Sequence, residues 1–235
     1  MKKILTIILT CFLTLSLAGC SSKKNDDDIL TFFNALDNTL NLKSAQINGT
    51  LAMKDSKLNI DAQILQKDEL QVSSSIGLVA GKNVQNNFLN FYIKNGKTYL
   101  NSMGTKTQST VDKIGLKQNS KLNAYNPFLD LTDDQLCELF DSSKKENDTY
   151  TFKVNTSKLA TLLDNMGSVK LDHATLVATI KNEKISHMIL NFTGTQTVDD
   201  ASANIDVSIE LSIKKLNKIN FPNDLDNYKN ETAED

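Results

Sequence analysis

Between residues 29 and 42 the apolar side chains Ile29, Phe32, Phe33, Leu36 and Leu40 recur at intervals of three and four, a stripe that predicts an amphipathic helix with one face to bury. The period then changes to two. Ala45, Ile47, Leu51 and Met53 alternate with Gln46, Asn48, Thr50 and Lys54, which predicts a strand with one wet face. Leu58, Ile60, Ala62 and Ile64 repeat the alternation after Asp55-Ser56, and Leu70, Val72, Ile76 and Leu78 repeat it after Lys67-Asp68. Leu89, Phe91 and Ile93 lead into Asn95-Gly96, a hairpin signal because both positions of that turn require positive φ, and a return strand covers residues 98–102. Strands joined by so few residues form an antiparallel meander, since a parallel crossover needs about a dozen residues.

Residues 110–127 are weakly patterned and read as a loop or short edge elements. Thr132-Asp133-Asp134-Gln135 is a capping-box sequence, opening a helix with Leu136, Leu139 and Phe140 on one face. After a strand alternating at Tyr150, Phe152 and Val154, Asn155-Thr156-Ser157 opens a second short helix; Leu159, Leu162, Leu163 and Met166 share its stripe and Gly167 closes it. Strands then return: Leu176, Ala178 and Ile180, a turn at Asn182-Glu183, a strand over 185–193, and Ile205, Val207, Ile209, Leu211 and Ile213 in alternation. The strand over 185–193 is apolar on both parities, with Ile185, His187 and Ile189 on one face and Met188, Leu190 and Phe192 on the other. Pro222 ends the pattern, and residues 223–235 read as a polar tail. One-faced helices and a one-faced sheet are complementary surfaces, so the expected fold class is α+β in two layers.

The start of the chain follows a different logic. Lys2 and Lys3 precede an apolar run over residues 4–18, too short for a comfortable membrane span, which reads as an export signal over 1–19. The run ends in Leu17-Ala18-Gly19-Cys20, which looks like a bacterial lipobox, so Cys20 is the expected lipidation site. That resemblance implies two or three acyl chains on the residue, which would anchor the protein stably at the extracytoplasmic face of the cell membrane. Residues 20–28 then read as the lipidated Cys and a solvated linker, and residues 29–222 as the folded domain. Cys11 leaves with the signal and Cys20 is acylated, so Cys137 is left without an intramolecular disulfide partner; its apolar surroundings predict a buried, inert thiol.

Composition narrows the function further. The formal net charge is −2, and all 26 cations are Lys, so the basic excess and the Arg forks of nucleic-acid binders are absent. No run of lysines reads as a polybasic patch for lipid headgroups. Two His, at 173 and 187, supply neither a His-based metal site nor a Ser-His-Asp relay, and no nucleotide, zinc-hydrolase or nucleophile-elbow motif occurs. The chain reads as a non-enzyme without cofactor or metal.

The order of elements resembles the LolA/LppX-like group of bacterial lipoproteins and lipoprotein carriers. The likeness spans residues 29–222 and is similar to Gram-positive cell-surface lipoproteins of that group in the segment Ala35-Leu-Asp-Asn-Thr-Leu-Asn-Leu-Lys-Ser44 before the first strand and in the hairpin Tyr92-Ile-Lys-Asn-Gly-Lys-Thr-Tyr99. The resemblance implies a half-barrel, a curved antiparallel sheet of about 9–11 strands wrapped over short helices, whose incompletely filled interior accepts acyl chains. The residues expected to line such a space are Phe32, Phe33, Leu36, Leu159, Leu163, Met188, Leu190 and Phe192. The implied role is a membrane-anchored carrier or sensor of a lipid or acylated molecule. The alternative is a scaffold or adhesion module with a filled core. A transporter's solute-binding component fits less well, for want of alternating β and α units.

Overall fold

The structure is a computed structural model that describes residues 25–163, 168–198 and 201–230. The expected signal, Cys20, the helix end at Met166 and Gly167 and the last five residues of the expected tail lie outside the described residues. The strands are β1 (Ser44–Met53), β2 (Ser56–Gln66), β3 (Leu70–Ala80), β4 (Asn83–Lys94), β5 (Lys97–Ser102), β6 (Thr105–Thr110), β7 (Phe140–Glu146), β8 (Thr149–Val154), β9 (Ser168–Lys181), β10 (Lys184–Val198), β11 (Ala201–Lys214) and β12 (Lys229–Asn230). The helices are α1 (Asp26–Leu40), α2 (Asp133–Cys137) and α3 (Thr156–Leu163), with short 3-10 turns at Val111–Ile114, Leu122–Tyr125 and Leu225–Asn227.

All the strands form one curved sheet, in the order β12-β6-β5-β4-β3-β2-β1-β11-β10-β9-β8-β7, so the fold is an α+β half-barrel. Two meanders meet at an antiparallel seam where β1 pairs with β11, Ile47 opposite Ile213 and Leu51 opposite Ile209. Among the described residues there are twelve strands, more than the nine to eleven that the resemblance implies, and β12 pairs in parallel with β6. The extra elements have little apolar alternation to announce them: β6 reads TKTQST and β7 reads FDSSKKE. Phe140 starts β7 instead of continuing α2, because the Leu139 carbonyl accepts from the Asn155 N–H and leaves the helical ladder.

The inner face carries α1. Its N-cap Asn25 accepts from the Asp27 N–H, and Asp26, Asp27 and Asp28 all lie in the first turn, where carboxylates favour the positive end of the helix dipole. The helix therefore begins three residues before its apolar stripe, inside the segment expected as linker. Ile29, Phe32, Phe33 and Ala35 pack with Phe140, Phe152, Leu176 and Ala178 in the main core. Buried Gln66 ties the helix end to the next segment: its amide N–H groups donate to the carbonyls of Leu40 and Leu42, and its oxygen accepts from the Leu122 N–H.

A bulge between Ile185 and His187 corrects the expected parity of β10. Ile185 joins the inner core, 3% exposed, while His187 points outward and meets Glu210 Oε1 at 3.0 Å. The expected polar tail is likewise partly overturned. Leu225 and Tyr228 are buried against Tyr99, and the Asn220 N–H donates to Gln63 Oε1, so residues 220–230 run as a strap over the outer face from β2 to β6. Tyr92 and Tyr99, paired across β4 and β5, receive the strap's apolar side chains, which are too widely spaced to read as an element in sequence.

Candidate functional site

Both ends of α1 are fixed to the sheet, which sets how closely its apolar face approaches it. The Asn25 N–H donates to Ser143 Oγ on β7 at 2.9 Å, and Thr39 Oγ1 accepts from the Ile185 N–H on β10 at 2.9 Å. Between these points Phe32 meets Phe33 edge-on at 5.1 Å between centroids, and Phe33 with Phe128 at 5.2 Å and Phe140 with Phe152 at 4.7 Å are tilted pairs. Tilted and edge-on rings suit aromatic quadrupoles.

A cavity of about 270 Å³ remains between α1, α3 and the sheet. Its wall is wholly apolar. Phe32, Phe33 and Leu36 come from α1, Leu159 from α3, and Met188 and Leu190 from β10, which brings six of the eight residues singled out in the sequence to one space. Phe192 packs against the same core without lining the cavity. The Leu163 side chain lies outside the described residues. Phe128, Leu139, Phe140, Val154 and Leu176 complete the wall and were missed. Phe140, Val154 and Leu176 sit on the inner parity of their strands, a signal that marks them as core without saying they border a space. Phe128 lies in an irregular segment with no periodicity to read, and Leu139, expected on a helical face, sits just past the end of α2.

Leu190 also belongs to an apolar row that leaves the cavity. It pairs with Ile209, Ile209 with Leu51, Leu51 with Leu58 and Leu58 with Leu78, crossing β10, β11, β1, β2 and β3. These side chains are only half-buried, and α1 packs on β7, β9 and β10 rather than over them. Among the described residues no titratable group lines the cavity, so what it offers is apolar contact and exclusion of water. Cys137 is buried, as its setting in the sequence implies. Among the described residues no helix is long and apolar enough to cross a membrane.

No protein-family model matches the chain, and no curated protein matches it. Among solved structures, that of LprF from Mycobacterium bovis is similar at 10% identity over 86% of this chain and 98% of the other, with a TM-score of 0.44. A porin-like protein from Bacteroides uniformis is similar at 7% identity over 75% of this chain and 98% of the other, with a TM-score of 0.25.

Proposed function

We propose that the chain is a lipoprotein of the bacterial cell envelope, anchored through Cys20 at the extracytoplasmic face of the cell membrane, that holds an acyl chain of a lipid or acylated molecule between α1 and the sheet. The supporting observation is the apolar cavity of about 270 Å³ with a half-exposed apolar row leading from it. Its volume lies near the lower end of ligand sites, roughly 300–1,000 Å³, so the enclosed part suits one chain and the rest of a larger ligand lies along the row. Each buried methylene contributes about 0.8 kcal/mol, so affinity grows with chain length and needs no polar recognition inside. The action is non-covalent, as a carrier or sensor. A filled scaffold would leave this space without a role.

Native mass spectrometry with organic extraction tests the reading on the full chain carrying Cys20→Ser, which lacks the acylation site. A stoichiometric lipid, or uptake of added fatty acid or phospholipid, supports it. A bare protein mass under both conditions rejects it in favour of the scaffold. The same substitution tests the anchor in cells: release to the medium, or accumulation of uncleaved chain, is expected, and normal acylation would remove Cys20 from the proposal.

A further inference from the structure

The lysines form no patch along the chain, but the sheet gathers them. β1 starts, β9 ends, β10 starts and β11 ends at the same edge of four adjoining strands, and Lys43, Lys181, Lys184, Lys214 and Lys215 all border one groove of about 600 Å³ there. Lys181 and Lys184 stand directly opposite each other across the β9–β10 hairpin, a like-charge pairing that sheets disfavour. Among the described residues no carboxylate borders the groove and none of these five ammonium groups lies in an ion pair, whereas Lys106, Lys144, Lys153 and Lys158 each have an acidic partner. Leu42, Ile185 and Ile213 supply apolar surface beside the lysines, and Ser44 and Ser186 supply hydroxyls.

We propose that this lysine-bordered groove is a docking surface for the phosphate headgroups of an anionic lipid bilayer. Charge complementarity carries the argument: a chain with a net charge of −2 concentrates at one end of its sheet five lysines that, among the described residues, have no ion-pair partner. They lie at the ends of neighbouring strands, an arrangement suited to meeting one plane together, and apolar surface beside them suits the glycerol and upper acyl region under a headgroup. A bound inorganic phosphate would use the ammonium groups and leave the apolar part idle. The groove lies outside the apolar cavity, so this docking does not depend on what the cavity holds.

Flotation with vesicles of phosphatidylcholine, with and without phosphatidylglycerol, tests the proposal on the full chain carrying Cys20→Ser. The anionic vesicles should bind more tightly than the neutral ones, less so as salt shortens the screening length below its physiological value of about 8 Å. Lys181→Glu/Lys184→Glu/Lys214→Glu should weaken anionic-vesicle binding by about tenfold or more. Lys54→Glu/Lys57→Glu/Lys82→Glu, an equal change of net charge among exposed lysines at the opposite end of the sheet, should leave most of it. Glutamine at the same three groove positions, with melting curves for every variant, separates lost docking from lost folding. Equal loss in both triple variants, no preference for anionic vesicles, or competition for soluble polyphosphate without vesicle binding would each overturn it.

Discussion

The hydroxyl of Thr39, near the end of α1, accepts the backbone N–H of Ile185 at 2.9 Å and donates to the Ala35 carbonyl at 2.6 Å, both within the core. Ile185 lies beside the bulge in β10, and a helix side chain takes up its N–H. Thr39→Val keeps the shape and removes the acceptor, leaving a buried donor unmatched. Unfolding in denaturant should show a loss of about 1–3 kcal/mol, with Thr39→Ser close to the parent. Equal losses in the two variants would mean that methyl packing, not the hydrogen bond, holds this end of the helix.

Leu159 lines the cavity from α3 and is half-buried. Leu159→Trp should occupy the space without disturbing α1. Displacing about two methylenes of ligand contact corresponds to roughly tenfold weaker uptake. Titration with a fatty acid checks this, and unchanged uptake would place the ligand elsewhere on the sheet.

Two glycines mark close approaches between strands. A Cβ on Gly194 would overlap the Lys170 carbonyl oxygen, and one on Gly49 would lie 2.5 Å from both the Glu210 carbonyl oxygen and Leu211 Cδ2. Gly194→Ala and Gly49→Ala should each cost about 1–3 kcal/mol in equilibrium unfolding. Gly77→Ala, whose new methyl meets nothing nearer than 3.4 Å, should cost less.

The outer strap should release at both extremes of pH. Burial, with Tyr92 and Asp224 nearby, pushes the Tyr228 phenol up to about 12 from an ordinary 10.0. A folded value above the unfolded one means that the neutral phenol supports the fold. That contribution is complete below pH 10.0 and disappears as pH rises through about 12. Asp224 has the opposite sign: the hydrogen bond from Lys106 holds its carboxyl below the usual range, so its contribution is present above that range and is lost as pH falls through the lowered value. The chain has no Trp, and Tyr92, Tyr99 and Tyr228, three of its five Tyr, meet at the strap, so tyrosine fluorescence reports on it. Tyr228→Phe should remove most of the alkaline transition and leave the acid one.

Local structure was legible because neighbouring residues decide it. Asn95-Gly96 and Asn182-Glu183 form hairpin turns with positive φ at both positions, and Thr132 and Gln135 exchange the reciprocal hydrogen bonds of a capping box. Phe32, Phe33 and Leu36 line the cavity because the spacing that placed them on one helical stripe also places them toward the sheet. Periods of 3.6 and 2 reveal which face is apolar, whatever lies opposite.

The partner of each face was a matter of tertiary structure. The β1–β11 seam joins residues more than 150 positions apart, and nothing near Ile47 names Ile213 as its neighbour. The same applies to Phe128 and Leu139 in the cavity wall, to the strap that buries Tyr228, and to the single-residue bulge that turns Ile185 inward. Five lysines from four separate segments became one charged groove only when their strands were laid side by side. Pairing across such distances is selected by the assembly of the whole sheet, where each strand inside it must satisfy two neighbours at once. Alternation and turn residues report only one strand at a time.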